Sequence, residues 1–311
     1  MEFVNMAAKI DWLEGTIKNR PFDEVLTELK PFFADDFTEL EYGGHHYSHS
    51  AIVCGDGRVY WSPDRPEMGV HVSLPSQALA IVCGERERIT LARDLRAMGM
   101  EFTRDDFCVD DTAGLLDLDV IMAAVRSGAY VSRFKKWLIV DNSEGGRTIG
   151  FGKRGSDSYI RIYDKAKEQH ENGHRIRVEL ELRRKRAQFA MLVLLDLDDP
   201  SQMTATVFGL IRSTLDFRIP SSSDETKSRW EVAKWWAEFF EFCGFVHLFI
   251  PKEIRTVEDT INWLRKQVSP SMLVAMSKLG SEGFLKLASD AVPRLRPKHI
   301  AMMRGKSGSQ E

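Results

Sequence analysis

Ser158-Tyr-Ile-Arg-Ile-Tyr-Asp-Lys165 and, soon after it, Arg177-Val-Glu-Leu-Glu-Leu-Arg183 carry the clearest strand patterns in the chain. Both alternate apolar with polar side chains, the two-residue period of a strand with one face buried. In the first, Ile160 and Ile162 mark the core side, which leaves Tyr159, Arg161, Tyr163 and Lys165 together on the other. In the second, Val178, Leu180 and Leu182 point inward, and Arg177, Glu179, Glu181 and Arg183 are displayed. Asp106-Phe-Cys-Val-Asp110, farther upstream, sets Phe107 and Val109 against Asp106, Cys108 and Asp110. If these strands share a sheet, its open face carries carboxylates, guanidiniums and tyrosines side by side.

Working outward, 9–17, 50–54, 58–61 and 70–74 also read as strands, with Gly55-Asp-Gly57 as a turn between two of them. Further strands are expected at 103–109, 137–142 and 147–153. Helical patterns cover 21–30, most of 76–98, 119–125 and 183–195. Pro220-Ser-Ser-Ser223 reads as a linker. Beyond it come the aromatic-rich 228–242, the amphipathic 257–267 and two short helical segments at 271–279 and 282–288, before a basic tail. The pattern predicts an α+β chain with an antiparallel, sheet-rich core over 1–219, in parts 1–100 and 101–219, and a helical C-terminal module over 220–311.

The chain has 311 residues, 43% hydrophobic and 29% charged, a composition that excludes disordered, collagen-like and coiled-coil classes. It has no apolar run of about 18 residues and no secretory pattern at the N-terminus, so a cytoplasmic location away from any membrane is expected. Cys54, Cys83, Cys108 and Cys243 form no CxxC pair, which argues for reduced, buried thiols and against a thiolate metal site.

The polar face of the three strands has a definite chemistry. Carboxylate oxygens are hard ligands suited to Mg²⁺ or Mn²⁺. Arg and Lys clamp phosphate oxygens. A tyrosine hydroxyl beside such groups can attack phosphorus and form a covalent phosphodiester. The set spells metal-assisted transesterification of a nucleic-acid backbone, whereas for any single strand a solvated face with cross-strand Glu and Arg pairs is the ordinary reading.

The same residues carry a family resemblance. Gly150-Phe-Gly-Lys-Arg-Gly-Ser-Asp-Ser-Tyr-Ile-Arg-Ile-Tyr-Asp-Lys165 resembles the signature of the replication initiation factor (Rep-trans) family of rolling-circle plasmid and phage initiators and related conjugative-element relaxases. Ile10-Asp-Trp-Leu13 with Thr16, Thr103-Arg-Asp-Asp106 with Asp110, Arg177-Val-Glu-Leu-Glu181 and Trp263-Leu-Arg-Lys-Gln-Val-Ser-Pro-Ser271 resemble other family segments in the family's order. Asp105 departs from the pattern, standing where the family usually has an apolar residue.

The resemblance implies origin-specific nicking of one DNA strand, leaving a 5′-phosphotyrosyl link and a free 3′-hydroxyl. On it, Tyr163 is the nucleophile with Tyr159 in reserve, and Arg161 and Lys165 hold the scissile phosphate. Asp106 and Glu179, with Asp110 or Glu181, are the ligands of Mg²⁺ or Mn²⁺, and Lys153, Arg154, Arg177 and Arg183 contact DNA. A homodimer and a host helicase are implied partners. A relaxase nicking a conjugative element's transfer origin, and a non-catalytic DNA-binding regulator, are the alternative functions.

Other chemistries fit less well. His45 and His46 are adjacent and face opposite ways on a strand, and His49 is out of phase with His46, so a histidine chelate is improbable. Gly55-Asp-Gly57 and Gly150-Phe-Gly152 lack the rest of a nucleotide-binding loop. The net charge of −3 opposes a polyanionic partner only as an average. Residues 133–190 hold 15 Lys and Arg against 8 Asp and Glu, a local +7 that leaves −10 for the remainder. A polyanion responds to the local field, so DNA is expected on this segment.

Overall fold

The computed structural model describes residues 7–34, 36–84, 87–142, 146–197, 199, 202–241, 258, 261, 262 and 264–294. β1 (Lys9–Ile17) is followed by α1 (Phe22–Leu29), β2 (Phe37–Leu40), β3 (His49–Val53), β4 (Gly57–Trp61) and β5 (Val70–Pro75). Helices α2 (Ser76–Cys83) and α3 (Arg88–Ala97) lead into the long β6 (Met100–Asp111). Next come α4 (Leu118–Ser127), β7 (Tyr130–Ser132), β8 (Trp137–Asp141), β9 (Arg147–Gly152) and β10 (Ser158–Asp164). The chain continues through α5 (Lys165–Glu168), β11 (Ile176–Arg183), α6 (Lys185–Leu195), α7 (Gln202–Thr214), β12 (Leu215–Phe217) and α8 (Lys234–Glu241). The second unit contains α9 (Ser269–Ser289).

Ten strands form one sheet in the order β2-β3-β4-β5-β1-β6-β11-β10-β9-β8, with every neighbouring pair antiparallel. Strands β12 and β7 pair separately. The architecture is the α+β, sheet-rich one that alternation predicts. On the core face Ile10, Leu13, Phe107, Val109, Ile160, Ile162, Val178, Leu180 and Leu182 are fully buried. Helix α6 lies on β6 and β11 and turns Ala187, Ala190 and Met191 inward. This anchoring fixes the opposite face, because the strand period sends every intervening side chain there.

Asp105 takes a core position. It pairs across to Leu13 and Leu182, is wholly buried, and neither carboxyl oxygen has a hydrogen-bond partner. Burial, with Asp106 and Glu14 nearby, raises its pKa well above the carboxylate range. Asp105 therefore occupies the inward place of an apolar residue, and the register carries Asp106 to the polar face.

The compact units divide as Met1–Ile250 and Pro251–Glu311, and not at 219/220. The aromatic stripe after the Ser-rich stretch is core: Trp236 packs edge-on against Phe217, and Phe208 contacts Phe239 and Phe240. Sequence periodicity misses β2, β7, β12, α5 and α7. The first four are only three or four residues long. Helix α7 is buried continuously from Thr206 to Ile211 and so lacks the one-sided stripe that betrays a helix. In the second unit α9 is broken at Gly280, whose φ of 68° is costly for any residue with a Cβ. Residues 257, 259, 260 and 263 of the 257–267 segment, Cys243 and the tail beyond Arg294 lie outside the described residues. Among the described residues Cys54, Cys83 and Cys108 are buried and in no disulfide, and no helix is long and apolar enough to cross a membrane.

Asp105 binds its proton more tightly folded than unfolded, so folding loses stability as pH rises from the unfolded value, about 4, toward the raised folded value. Asp105→Asn removes that loss. Urea unfolding should show the variant gaining on the wild type between pH 5 and pH 8, and an equal gain at both pH values would exclude this account.

Candidate active site

β11 lies between β6 and β10, and its register assembles the site. Toward β6, Glu181 faces Asp106, Glu179 faces Cys108 and Arg177 faces Asp110. Toward β10, Glu181 faces Tyr159, Glu179 faces Arg161 and Arg177 faces Tyr163. The three strands read separately from the sequence thus share one face, in one continuous ladder.

Contacts within the ladder are specific. The Tyr163 hydroxyl donates to Glu179 Oε2 at 2.9 Å, reaching its diagonal neighbour, while Arg161 donates to the other oxygen of the same carboxylate. Arg104 grips Asp106 through two hydrogen bonds of 2.9 and 2.6 Å and stacks over the Trp12 ring at 3.9 Å. Its guanidinium also lies 3.6 Å from Glu181 and 3.9 Å from Glu14. Arg177 donates twice to Asp110, at 2.6 and 2.8 Å, and once to Asp11 at 2.9 Å.

The face is not the open one that the sequence suggests, because these long guanidiniums lie across their neighbours. Asp106, Glu179, Glu181, Arg177, Tyr159 and Tyr163 are all 6% exposed or less. Ionisation responds accordingly. Burial drives the Asp106 carboxyl up to about 7, with Glu179 and Glu181 adding to the rise and Arg104 opposing it. Burial also pushes up Asp110, but the Arg177 hydrogen bonds and charge outweigh it and hold that carboxyl below its ordinary value. Tyr163 is raised by burial and then by the Glu179 charge, so its phenol keeps its proton until a base takes it.

Several expected residues stand apart from this centre. Lys165 is not on the strand: β10 ends at Asp164, and Lys165 opens α5 and pairs with Glu168, its ammonium 5.8 Å from the Tyr163 ring centre. Arg177 is locked in buried ion pairs and presents nothing for a DNA phosphate, and Arg183 is paired with Glu181. Lys153 and Arg154 are exposed after β9. Tyr159 extends over Gly150, where a Cβ would come within 2.2 Å of its hydroxyl; a glycine is needed at that crossing. The sequence reading passes over Arg104, Trp12 and Glu14 as site residues. The signal was present, since Trp12, Glu14 and Thr16 alternate with Leu13 and Ile17 as on the other site strands.

Among the described residues no three His, Cys, Asp or Glu side chains group as a metal cage. The donor chemistry nonetheless fits Mg²⁺ or Mn²⁺, which commonly take one or two protein carboxylates and complete their shell with water and substrate phosphate. Asp106 and Glu181 are paired across the strands, with a single guanidinium between them. Arg104 holds both Asp106 oxygens as Arg177 holds both of Asp110, so a cation at Asp106 has to displace one of those bonds; Asp110 fits less well because the residue across from it on β11 is Arg177 and not a second carboxylate.

A single large antiparallel sheet with flanking helices is a fold that a solved replication initiator shares, and the sequence family agrees. The replication initiation factor family matches residues 100–288, more than half of the chain, and the protein belongs to that family. It is 24% identical over 320 residues to the "Putative DNA relaxase NicK" of Bacillus subtilis (strain 168), covering 96% of this chain and 89% of that one. The rolling-circle replication initiator protein from Geobacillus stearothermophilus shares the fold, with a TM-score of 0.67 and 24% identity. That likeness covers 78% of this chain and 98% of the other.

Breaking a buried ion pair from one side costs about 3–5 kcal/mol. Arg177→Met should therefore lower stability by about that amount in urea unfolding. A variant of wild-type stability that lost only DNA affinity would restore Arg177 to the DNA surface.

Proposed function

We propose that this protein binds DNA at an origin and nicks one strand by transesterification, with Tyr163 as nucleophile. The hydrogen bond from the Tyr163 hydroxyl to Glu179 carries this reading: a nucleophile with a raised pKa is paired with an anionic acceptor that a guanidinium orients. Family membership supports it.

In the proposed step the phenolic proton passes to Glu179 as Tyr163 Oη attacks the scissile phosphorus. The bond from phosphorus to the 3′ oxygen breaks, the 5′ end stays on Tyr163, and the departing 3′ oxygen takes up a proton to become the free 3′-hydroxyl. Arg161, on the same face of β10, steers and stabilises Glu179 and lies beside the transferring phosphate. Glu179 thus serves as proton acceptor in place of the metal-ligand role its residue type suggests. Asp106 and Glu181 would hold Mg²⁺ or Mn²⁺, which when bound neutralises charge on the phosphate. Lys153 and Arg154 meet the incoming backbone, and Tyr159, with its hydroxyl over Gly150, is the reserve nucleophile. Action as a relaxase at a transfer origin uses the same chemistry, and likeness to a relaxase favours it as the second reading. A homodimer and a recruited host helicase complete the proposal.

Supercoiled DNA carrying the gene's own neighbourhood, incubated with Mg²⁺ or Mn²⁺, tests the reading. Tyr163→Phe should abolish nicking and covalent attachment while DNA binding persists, and Tyr159→Phe should retain both. The opposite result exchanges the two tyrosines, and absence of any covalent adduct with wild type removes the enzyme reading. Glu179→Gln should slow nicking by roughly 10²–10⁴-fold, the usual contribution of a positioned base. Chelation with EDTA should stop nicking and spare binding; nicking that survives it would release Asp106 and Glu181 from the metal role.

A further inference from the structure

A second charged site lies in the first unit, away from the tyrosine ladder. A cavity of about 420 Å³ is lined by Ser132 and Arg133 at the end of β7, Arg212 and Asp216 from α7 and β12, Arg218, and Val232. Three guanidiniums face one carboxylate, so the lining carries a formal +2. Asp216 is buried and accepts from Arg212 Nε at 3.2 Å, Arg218 Nη2 at 2.6 Å and the Trp236 indole at 3.0 Å. It aligns two of the arginines, and Arg212 also lies over the Phe240 ring at 5.3 Å. Arg218 is fixed further by its 2.8 Å bond to the Trp230 carbonyl, and its Nε is buried without an acceptor. Arg133 is exposed at the rim and, among the described residues, its guanidinium has no ion-pair partner.

Cations held in place by a shared buried carboxylate are organised before any ligand arrives, which lowers the cost of binding an anion. The segment leaving the cavity, Arg133-Phe-Lys-Lys136, is basic and leads back to the nicking strand. The Lys136 carbonyl accepts from the Gly152 amide, and Gly152 pairs with Tyr159 and precedes Lys153 and Arg154. Arg133, Lys135, Lys136, Lys153 and Arg154 are all exposed.

We propose that the arginine-lined cavity binds a phosphate group, and that the phosphate belongs to a DNA strand guided along the Arg133–Lys136 segment. The inference rests on the DNA-nicking reading for the source of the phosphate and not for the site itself.

The test uses the full chain and a fluorescently labelled 25-nucleotide oligothymidylate at 50 mM salt, with Arg133→Glu at the rim, Arg133→Lys as its conservative control, and Val232→Glu in the wall. The glutamates should each weaken binding at least fivefold at unchanged melting temperature, and Arg133→Lys should keep most of the affinity. The slope of log affinity against log salt should become shallower by about 0.7 for each phosphate of the single strand that the variant no longer neutralises. If Arg133→Glu weakens binding and a normally folded Val232→Glu does not, the basic segment acts alone and the cavity proposal falls. Thymidine 5′-monophosphate supplies the other arm: its tight, Arg133-dependent binding with oligothymidylate binding unaffected by Arg133→Glu overturns DNA as the source. Nicking of supercoiled DNA, followed in parallel, keeps the questions separate. Arg133-dependent oligonucleotide binding without any nicking counts against the tyrosine chemistry alone, and nicking with binding indifferent to both glutamates counts against the cavity alone.

Discussion

Charge buried at the middle of a sheet has to be matched locally, and β11 is where this protein meets that constraint. Glu179 and Glu181 lie between β6 and β10, on strands whose other face is sealed by aliphatic core. An unpaired carboxylate there would cost several kcal/mol. Arg161 answers Glu179, while Arg104 answers Asp106 and lies near Glu181 and Glu14; Arg177 plays the same part for Asp110 and Asp11. Each guanidinium is itself held by strand register, so the reactive groups cannot shift without breaking pairs around them. The proposed nucleophile would gain from this stiffness, since Tyr163 is held to Glu179 at hydrogen-bond distance by the fold itself.

The same matching is incomplete at two places, and they differ in kind. Asp106 sits among Glu179 and Glu181 with a carboxyl raised to about 7, a local surplus of acid that a substrate-bound cation would relieve. At the Asp216 cavity the surplus is positive, with three guanidiniums about one carboxylate. Asp105 is neither: it is on the core side, where burial raises its pKa, and its cost is a matter of stability.

Much of this was legible in the residue order. Ile160, Ile162, Val178, Leu180 and Leu182 announce the inward face, so Tyr163, Arg161 and Glu179 follow on the outward one. The aromatic stripe Trp230–Phe242 was legible as helix but not as part of the first unit, because its partners Phe208 and Phe217 lie in α7 and β12, neither of which carries a readable period. The Arg104 role was hidden for a different reason. It depends on β1 lying beside β6, which brings Trp12 and Glu14 under a guanidinium more than eighty residues away in sequence.

By itself the sequence determined which side chains share a face, since a strand's two-residue period is a local property of the backbone. It also determined the segregation of charge, with +7 over residues 133–190. Only the tertiary structure decided who pairs with whom. Arg177 is a DNA contact on the family resemblance and is instead held in buried ion pairs because β6 and β1 place Asp110 and Asp11 against it. Glu179 reads as a metal ligand and becomes the partner of Tyr163 because β10 is its neighbour. Pairing depends on strand order and register, and those are fixed by long-range packing of the core face and the helices upon it.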